Sequence, residues 1–205
     1  GGMGGMGGAP MGGGMGAPEG LLGGSSPPSR ALIVHHLPPE TSYEELFDAV
    51  GAYGNLESIK LLADKRQAFI NYVEPGSAYH LMMNTGGQIL CGGKPLGVMW
   101  AKMRPLPRDL IAAIRQGATR NLYVANAPES LSEDAAVALF APFGELESVR
   151  LVAKKRAVFV NYANVTSALK AKETLHCTVL ATEPGASADA PAAKPILINF
   201  TSAQQ

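Results

Sequence analysis

The chain has 205 residues, of which 46% are hydrophobic and 17% are charged, and its formal net charge is zero. A composition this apolar can bury a core, which excludes a chain that is disordered throughout. Zero net charge argues against a protein that holds nucleic acid by bulk charge alone, and it leaves room for local basic patches.

No apolar run approaches the roughly 20 residues that a membrane-spanning helix needs, and nothing resembles a signal peptide. The two cysteines, Cys91 and Cys177, have neither CxxC nor metal-ligand spacing. We therefore expect reduced thiols, no metal, no cofactor, and a location in the cytoplasm or the nucleus. Because the chain starts with Gly1 rather than Met, we expect it to be a segment of a longer protein.

The first 29 residues form a glycine-rich tail. They hold 13 of the 24 glycines, four methionines and a single charge, Glu19. Such a segment does not recover the entropy that ordering costs, so 1–29 is predicted to be flexible. The run GGMGGMGG is not a phosphate loop, because it lacks the Gly-Lys-Ser/Thr that holds phosphate and magnesium.

The rest of the chain contains a repeat with an offset of 90 residues. The segment NLESIKLLADKRQAFINY (55–72) aligns with ELESVRLVAKKRAVFVNY (145–162), and LIVHHLP aligns with LYVANAP. The repeat predicts two domains, 30–102 and 120–205, joined by a linker at 103–119. We call them the first and the second unit.

Within each unit the hydrophobic periodicity changes in a definite order. In the first, ALIVH predicts a strand, and Leu46 with Val50 predicts a helix that Ser42 and Glu45 begin as a capping box. Two strands joined by a tight basic turn follow, then a helix at 75–85 and a last strand, LGVMWAK. The order βαββαβ predicts an α+β, ferredoxin-like fold in which each domain is a four-stranded antiparallel sheet with two helices on one face.

Two connecting segments have features of their own. In the linker, Leu110, Ile111 and Ile114 lie at helical spacing, which predicts a short helix whose apolar side docks on a domain. The last loop of the second unit contains ATEPGASADAPAAK and is about ten residues longer than its counterpart, so we expect it to be mobile.

Each unit carries a third-strand motif of the type Lys/Arg-Gly-Phe/Tyr-Gly/Ala-Phe-Val-x-Phe/Tyr, as KRQAFINY (65–72) and KRAVFVNY (155–162). Together with the first-strand motifs LIVHHL and LYVANA, these segments resemble the RNA-recognition-motif family. The resemblance implies an RNA-binding protein and not an enzyme. The short connection before the third strand and the phrase QGATRNLYV more loosely resemble the fungal negative-regulator-of-differentiation proteins, which implies post-transcriptional regulation of mRNA.

Strand alternation predicts which side chains lie on the open face of each sheet. Tyr72, Tyr162 and Trp100 are predicted to point into the core. An aromatic ring on the open face offers a platform for an unpaired base, and such stacking contributes roughly 1 to 3 kcal/mol per base. The expected RNA-binding side chains are Ile33, His35, Lys60, Lys65, Gln67, Phe69 and Asn71 in the first unit, and Tyr123, Arg150, Lys155, Phe159, Asn161 and Asn199 in the second.

The two units differ in their aromatic side chains. The family motif usually carries a second aromatic two positions before Phe69 or Phe159, where this chain has Gln67 and Ala157. An aromatic in the first strand is present only in the second unit, as Tyr123. The first unit therefore offers one ring and the second offers two, which predicts that the second unit is the stronger platform.

A second function stays open at this point. Some members of this fold capture a peptide on the helical face, and the acidic first helices are compatible with that, although the Arg-x-Phe typical of such members is absent. The Gly/Met-rich tail is another candidate surface for protein partners. A catalytic function has no support in the residue spacing. The leading hypothesis is selective binding of single-stranded RNA across two linked sheets, which raises the avidity of two weak modules.

Overall fold

The computed structural model describes residues 26–180 and 193–202. Most of the predicted tail and most of the long last loop of the second unit lie outside the described residues. The expectations about their mobility therefore stay predictions. Within the described part, no helix is long and apolar enough to span a membrane.

The helices and strands follow the repeat. The first unit contains β1 (Ala31–His35), α1 (Tyr43–Val50), β2 (Leu56–Leu62), β3 (Gln67–Tyr72), α2 (Pro75–Thr85), β4 (Gln88–Cys91) and β5 (Lys94–Trp100). The linker contains α3 (Arg108–Arg115). The second unit contains β6 (Asn121–Ala125), α4 (Glu133–Phe140), β7 (Leu146–Val152), β8 (Ala157–Tyr162), α5 (Val165–Leu175) and β9 (Leu197–Thr201).

Each unit folds into one antiparallel sheet covered by two helices. The strand order is β2-β3-β1-β5-β4 in the first unit and β7-β8-β6-β9 in the second. Both units place their first and third strands side by side in the middle of the sheet, where β1 pairs with β3 and β6 pairs with β8. The predicted α+β fold with βαββαβ order is confirmed.

The first unit has a strand that was not predicted. Residues Gln88–Cys91 pair with β5 as a hairpin, so this sheet has five strands and the expectation of four is wrong here. The connection is Gly92 and Gly93, with φ of 55° and 75°. Two consecutive residues at positive φ make the tight turn that suits the twist of a hairpin, and glycine adopts that backbone without strain.

The cores lie between the sheets and the helices. Ser42 accepts a hydrogen bond from the backbone of Glu45, whose carboxylate in turn accepts one from the backbone of Ser42, which confirms the predicted capping box. Leu46 and Val50 then point inward and are fully buried. Trp100 is 4% exposed, so its predicted place in the core is confirmed.

Tyr72 and Tyr162 anchor the third strand of each unit to its first helix. Both side chains are fully buried, as predicted. The Tyr72 hydroxyl donates to the Val50 carbonyl at 2.7 Å, and the Tyr162 hydroxyl donates to the Phe140 carbonyl at 2.8 Å. Burial raises the pKa of both phenols, because it disfavours the charged form. These motif aromatics are therefore structural.

The linker helix α3 packs on the second unit. Leu110 is buried in a small cluster with Ala118 and with Val165 of α5, and Ile114 and Leu169 pack against it. At the other end of the linker, the Arg30 guanidinium donates to the carbonyl of Arg104 at 2.7 Å. The linker thus contacts both units.

Candidate nucleic-acid interface

Each sheet has one face under the helices and one open face. In β3, Ala68, Ile70 and Tyr72 are fully buried, whereas Phe69 and its outward neighbours are partly exposed. The same alternation in β8 leaves Phe159 partly exposed between two fully buried valines. The open faces are therefore the surfaces that the sequence predicted.

The second unit carries a row of four side chains across its open face. The strand register places Arg150, Phe159, Tyr123 and Asn199 next to one another on β7, β8, β6 and β9. The ring centroids of Tyr123 and Phe159 are 5.2 Å apart, with planes tilted by 58°. The Arg150 guanidinium carbon lies 5.3 Å from the Phe159 centroid, within the range of a cation–π contact.

The matching row in the first unit has a single ring. The register there places Lys60, Phe69, Ile33 and Met99 next to one another. Met99 was not among the expected site residues, although the inward position of Trp100 implies that its neighbour points outward. The row is thus apolar at its centre and has a cation at one edge.

A second row differs more between the units. In the first, the Gln67 amide donates to Nδ1 of His35 at 3.0 Å, and Nε2 of His35 is buried without a hydrogen-bond partner among the described residues. In the second, the same places hold Ala125 and Ala157, and Ala157 is fully buried. Only the first unit therefore has polar side chains in this row, and the Gln67 amide is held in one orientation.

The two expected asparagines are held by serines of the neighbouring strand. The Asn71 amide donates to the hydroxyl of Ser58 at 3.1 Å, and the Asn161 amide donates to that of Ser148 at 3.0 Å. The serines follow a bulge at the start of β2 and of β7, and they lie two residues before Lys60 and Arg150, on the same open face. Alternation counted from Lys60 and Arg150 thus places both serines on the open face, although they were not among the expected site residues.

Lys65 and Lys155 do not lie in the third strands, as the motif suggested. Each ends a short 3₁₀ turn between the second and third strands and is exposed at the rim of the sheet. The following residues, Arg66 and Arg156, have φ of 52° and 49°. Their Nε atoms donate to the carbonyls of Leu37 and Ala127, so these arginines tie the turn to the loop after the first strand.

Acidic side chains lie behind the sheets. Glu44 and Glu45 stand in the first turn of α1, and Glu133 and Asp134 stand in the first turn of α4. Carboxylates at a helix N-terminus are favoured by the exposed N–H groups there. The basic side chains Lys60 and Arg150 lie on the opposite, open faces, so each unit separates its charges although the chain is neutral overall.

Two antiparallel sheets of the split βαβ type, each with an aromatic side chain on its open face, define a tandem α+β protein with two candidate binding surfaces. The RNA recognition motif family matches residues 32–95 and 122–183. The chain therefore belongs to the RNA recognition motif family, and the predicted assignment is confirmed.

Relatives with known names cover most of the chain. The "RNA-binding protein MRN1" of Saccharomyces cerevisiae is 31% identical over 159 residues, which are 72% of this chain and 26% of that protein. The "Meiotically up-regulated gene 24 protein" of Schizosaccharomyces pombe is 29% identical over 150 residues, 72% of this chain and 23% of that protein. The chain thus spans about a quarter of the length of these relatives.

A solved structure named "Sxl-lethal protein/RNA complex" is 19% identical to the chain. The match covers 84% of this chain and 99% of that one, with a TM-score of 0.33.

Proposed function

We propose that the chain binds single-stranded RNA selectively through the open faces of both sheets. The observation that carries the proposal is the row Arg150, Phe159, Tyr123 and Asn199, which joins two neighbouring rings to a guanidinium and an amide. Two rings in a row can stack successive unpaired bases, at about 1 to 3 kcal/mol per base. A guanidinium beside them can meet a phosphate.

The remaining side chains have different roles in the proposal. Asn161 and Asn199 carry both donors and an acceptor, so they can distinguish base edges. Lys155 at the rim of the second sheet attracts the RNA backbone, as Lys60 and Lys65 do in the first unit. The first sheet stacks one base on Phe69, beside Ile33, and offers polar contacts around Gln67, His35 and Asn71.

The biological role that we propose is post-transcriptional regulation of mRNA, in the cytoplasm or the nucleus. Membership of the RNA recognition motif family supports it, as does the yeast relative whose name describes an RNA-binding protein. The proposed function is binding, and it assigns no reaction to the chain.

The first test is selection from a randomised single-stranded RNA pool by the whole chain at physiological salt. We expect a short enriched motif with the native chain and its loss with the double substitution Tyr123→Ala and Phe159→Ala. The control is Tyr79→Ala, because Tyr79 is 54% exposed on α2, away from the open face. Circular dichroism checks that all three proteins are folded.

The second candidate function is capture of a protein partner on the helical side. The observation that favours it is the exposure of Tyr79 and Met83, 54% and 43%, four residues apart on one side of α2. Absence of RNA binding even at low salt, together with loss of a captured partner in Tyr79→Ala, would favour this candidate over the first.

A further inference from the structure

The two units contact each other along the outer edge of β2. The backbone N–H of Ile59 donates to the carbonyl of Ala163 at 2.9 Å, and Ser58 forms an antiparallel bridge with Asn164. Residues 163 and 164 directly follow β8, so the second unit supplies a short extension to the sheet of the first. An uncovered edge strand invites pairing with other chains, and this contact covers part of the β2 edge.

An aromatic contact lies beside this edge. The guanidinium carbon of Arg120, which precedes β6, lies 3.4 Å from the centroid of the Phe47 ring on α1. Phe47 is 4% exposed, whereas Val137, at the same position of α4 in the second unit, is 39% exposed. The repeat thus provides an internal comparison: this helix position is covered in the first unit, where it contacts Arg120 of the second, and exposed in the second unit.

Arg120 also forms a buried ion pair with Glu147 of β7. The pair has a counterpart in the first unit, Arg30 with Glu57, so its basic form belongs to the fold of each unit. The two ion pairs differ in the residues that surround them. Burial raises the pKa of Glu147, and the carboxylates of Asp48 and Glu44 on α1 act in the same direction. Acidic side chains of the first unit therefore act on the ion pair of the second.

We infer that these contacts hold the two sheets in one relation before RNA arrives, and that this relation, rather than the length of the linker, sets the spacing between the RNA segments bound by the two units. The inference rests on the proposed function for its RNA part. Three contacts restrict the motion of one unit relative to the other. They are the hydrogen bond at the strand edge, the Phe47 ring stacked on the buried guanidinium, and the linker helix docked at Leu110. Preorganisation of this kind raises affinity by lowering the ordering cost of binding.

The first test measures tumbling without RNA. In the native chain, ¹⁵N relaxation should give one rotational correlation time for the amides of both units. Phe47→Val, which installs the residue found at position 137, should separate and shorten the correlation times. The control is Val137→Leu, which enlarges the exposed side chain at the equivalent helix position of the second unit. Two independent correlation times in the native chain would overturn the inference.

A second test does not depend on the core contacts of Phe47. Opposed residues of an antiparallel bridge have Cα atoms about 4.5 to 5.5 Å apart, within the range for a disulfide. Ser58→Cys with Asn164→Cys, in a Cys177→Ser background, should therefore crosslink without RNA. The control is Glu74→Cys with Ser148→Cys, the counterparts of these positions in the opposite units, which should not crosslink.

The RNA part is tested with an RNA long enough to span both sheets. The crosslinked chain should bind it at least as tightly as the reduced chain, and Phe47→Val should bind it roughly tenfold more weakly. A crosslinked chain that binds only after reduction would overturn the inference. If no form binds any RNA, the proposed function fails, while the tumbling and crosslinking results still decide whether the interface exists.

Discussion

At the scale of residues, the open faces of the two units carry different side chains at equivalent positions. The second unit presents Tyr123 and Phe159 with Arg150 against the ring, an arrangement suited to stacking. The first presents Phe69 between Ile33 and Lys60, with polar side chains in the next row. Stacking accepts any base, whereas hydrogen bonds discriminate between bases. We therefore expect the second unit to supply more of the affinity.

This ranking is tested by single substitutions. Phe69→Ala should weaken binding to the selected RNA less than Phe159→Ala does, because Phe69 is the single ring of its row, next to Lys60, Ile33 and Met99. The expected loss for Phe159→Ala is about 1 to 3 kcal/mol. Isothermal titration calorimetry with the same RNA measures both. An equal or larger loss from Phe69→Ala would reverse the ranking of the two units.

Much of the open face could be predicted from the sequence, because the side of a strand residue depends only on its parity. The rule correctly placed Phe69 and Phe159 outward and Tyr72 and Tyr162 in the core. It also places Ser58 and Ser148 outward, two residues before Lys60 and Arg150, although these serines were not among the expected site residues. Whether each expected residue contacts RNA stays a prediction.

At the scale of elements, the hairpin of β4 and β5 is a feature that the local sequence pattern did not predict. The segment GQILCGGKP has few β-branched residues, and its consecutive glycines, Gly92 and Gly93, suggest an irregular loop. In the structure, Ile89 and Cys91 point inward and are buried, and the glycines form the turn. Burial against the core therefore outweighs weak strand propensity here.

The turn makes the hairpin sensitive to one glycine. Gly93→Ala should lower the free energy of unfolding by about 1 kcal/mol, because an alanine at positive φ is strained although its methyl group meets no atom of the described residues within 4 Å. Gly97→Ala is the control, since Gly97 lies in β5 with equal space and without a positive φ. Urea unfolding compares the two, and equal stability would mean that the turn tolerates side chains.

The interface between the units lies beyond what sequence patterns predict. Phe47 is one apolar residue of an amphipathic helix, and Arg120 is a single charge before a strand. Only the folded chain shows them in contact, since the contact depends on how two finished units pack. The sequence repeat nonetheless contains an indication of the interface, because position 47 holds a large ring where the aligned position 137 holds a valine.

At the scale of the whole molecule, the charges cancel in number but not in space. The acidic first turns of α1 and α4 lie behind the sheets, and Lys60, Lys65, Arg150 and Lys155 lie on the open faces or at their rims. A neutral chain has no long-range attraction for RNA of its own. Its ionic contacts with RNA should therefore be few and local.

The dependence of affinity on salt should reflect the small number of ionic contacts with RNA. For single strands the slope of log K against log salt is about 0.7 per phosphate contact, so Lys60→Ala with Arg150→Ala should reduce the slope by about 1.4. Lys170→Ala, exposed on α5, should leave it unchanged. Fluorescence anisotropy across a salt series measures the slopes. An unchanged slope in the double variant would mean that these cations contact bases instead.

The difference between Phe47 and Val137 has a consequence for the order of the units along the chain. Two copies of one unit would ordinarily be interchangeable, and either could come first. Here the first copy carries the ring and the second carries the arginine that stacks on it, with the strand edge and the linker helix arranged to match. A permuted chain, with the second unit placed before the first, would lose the present linker, so the same contact would need a different connection between the units. The order of the repeat is thus part of the structure that it encodes.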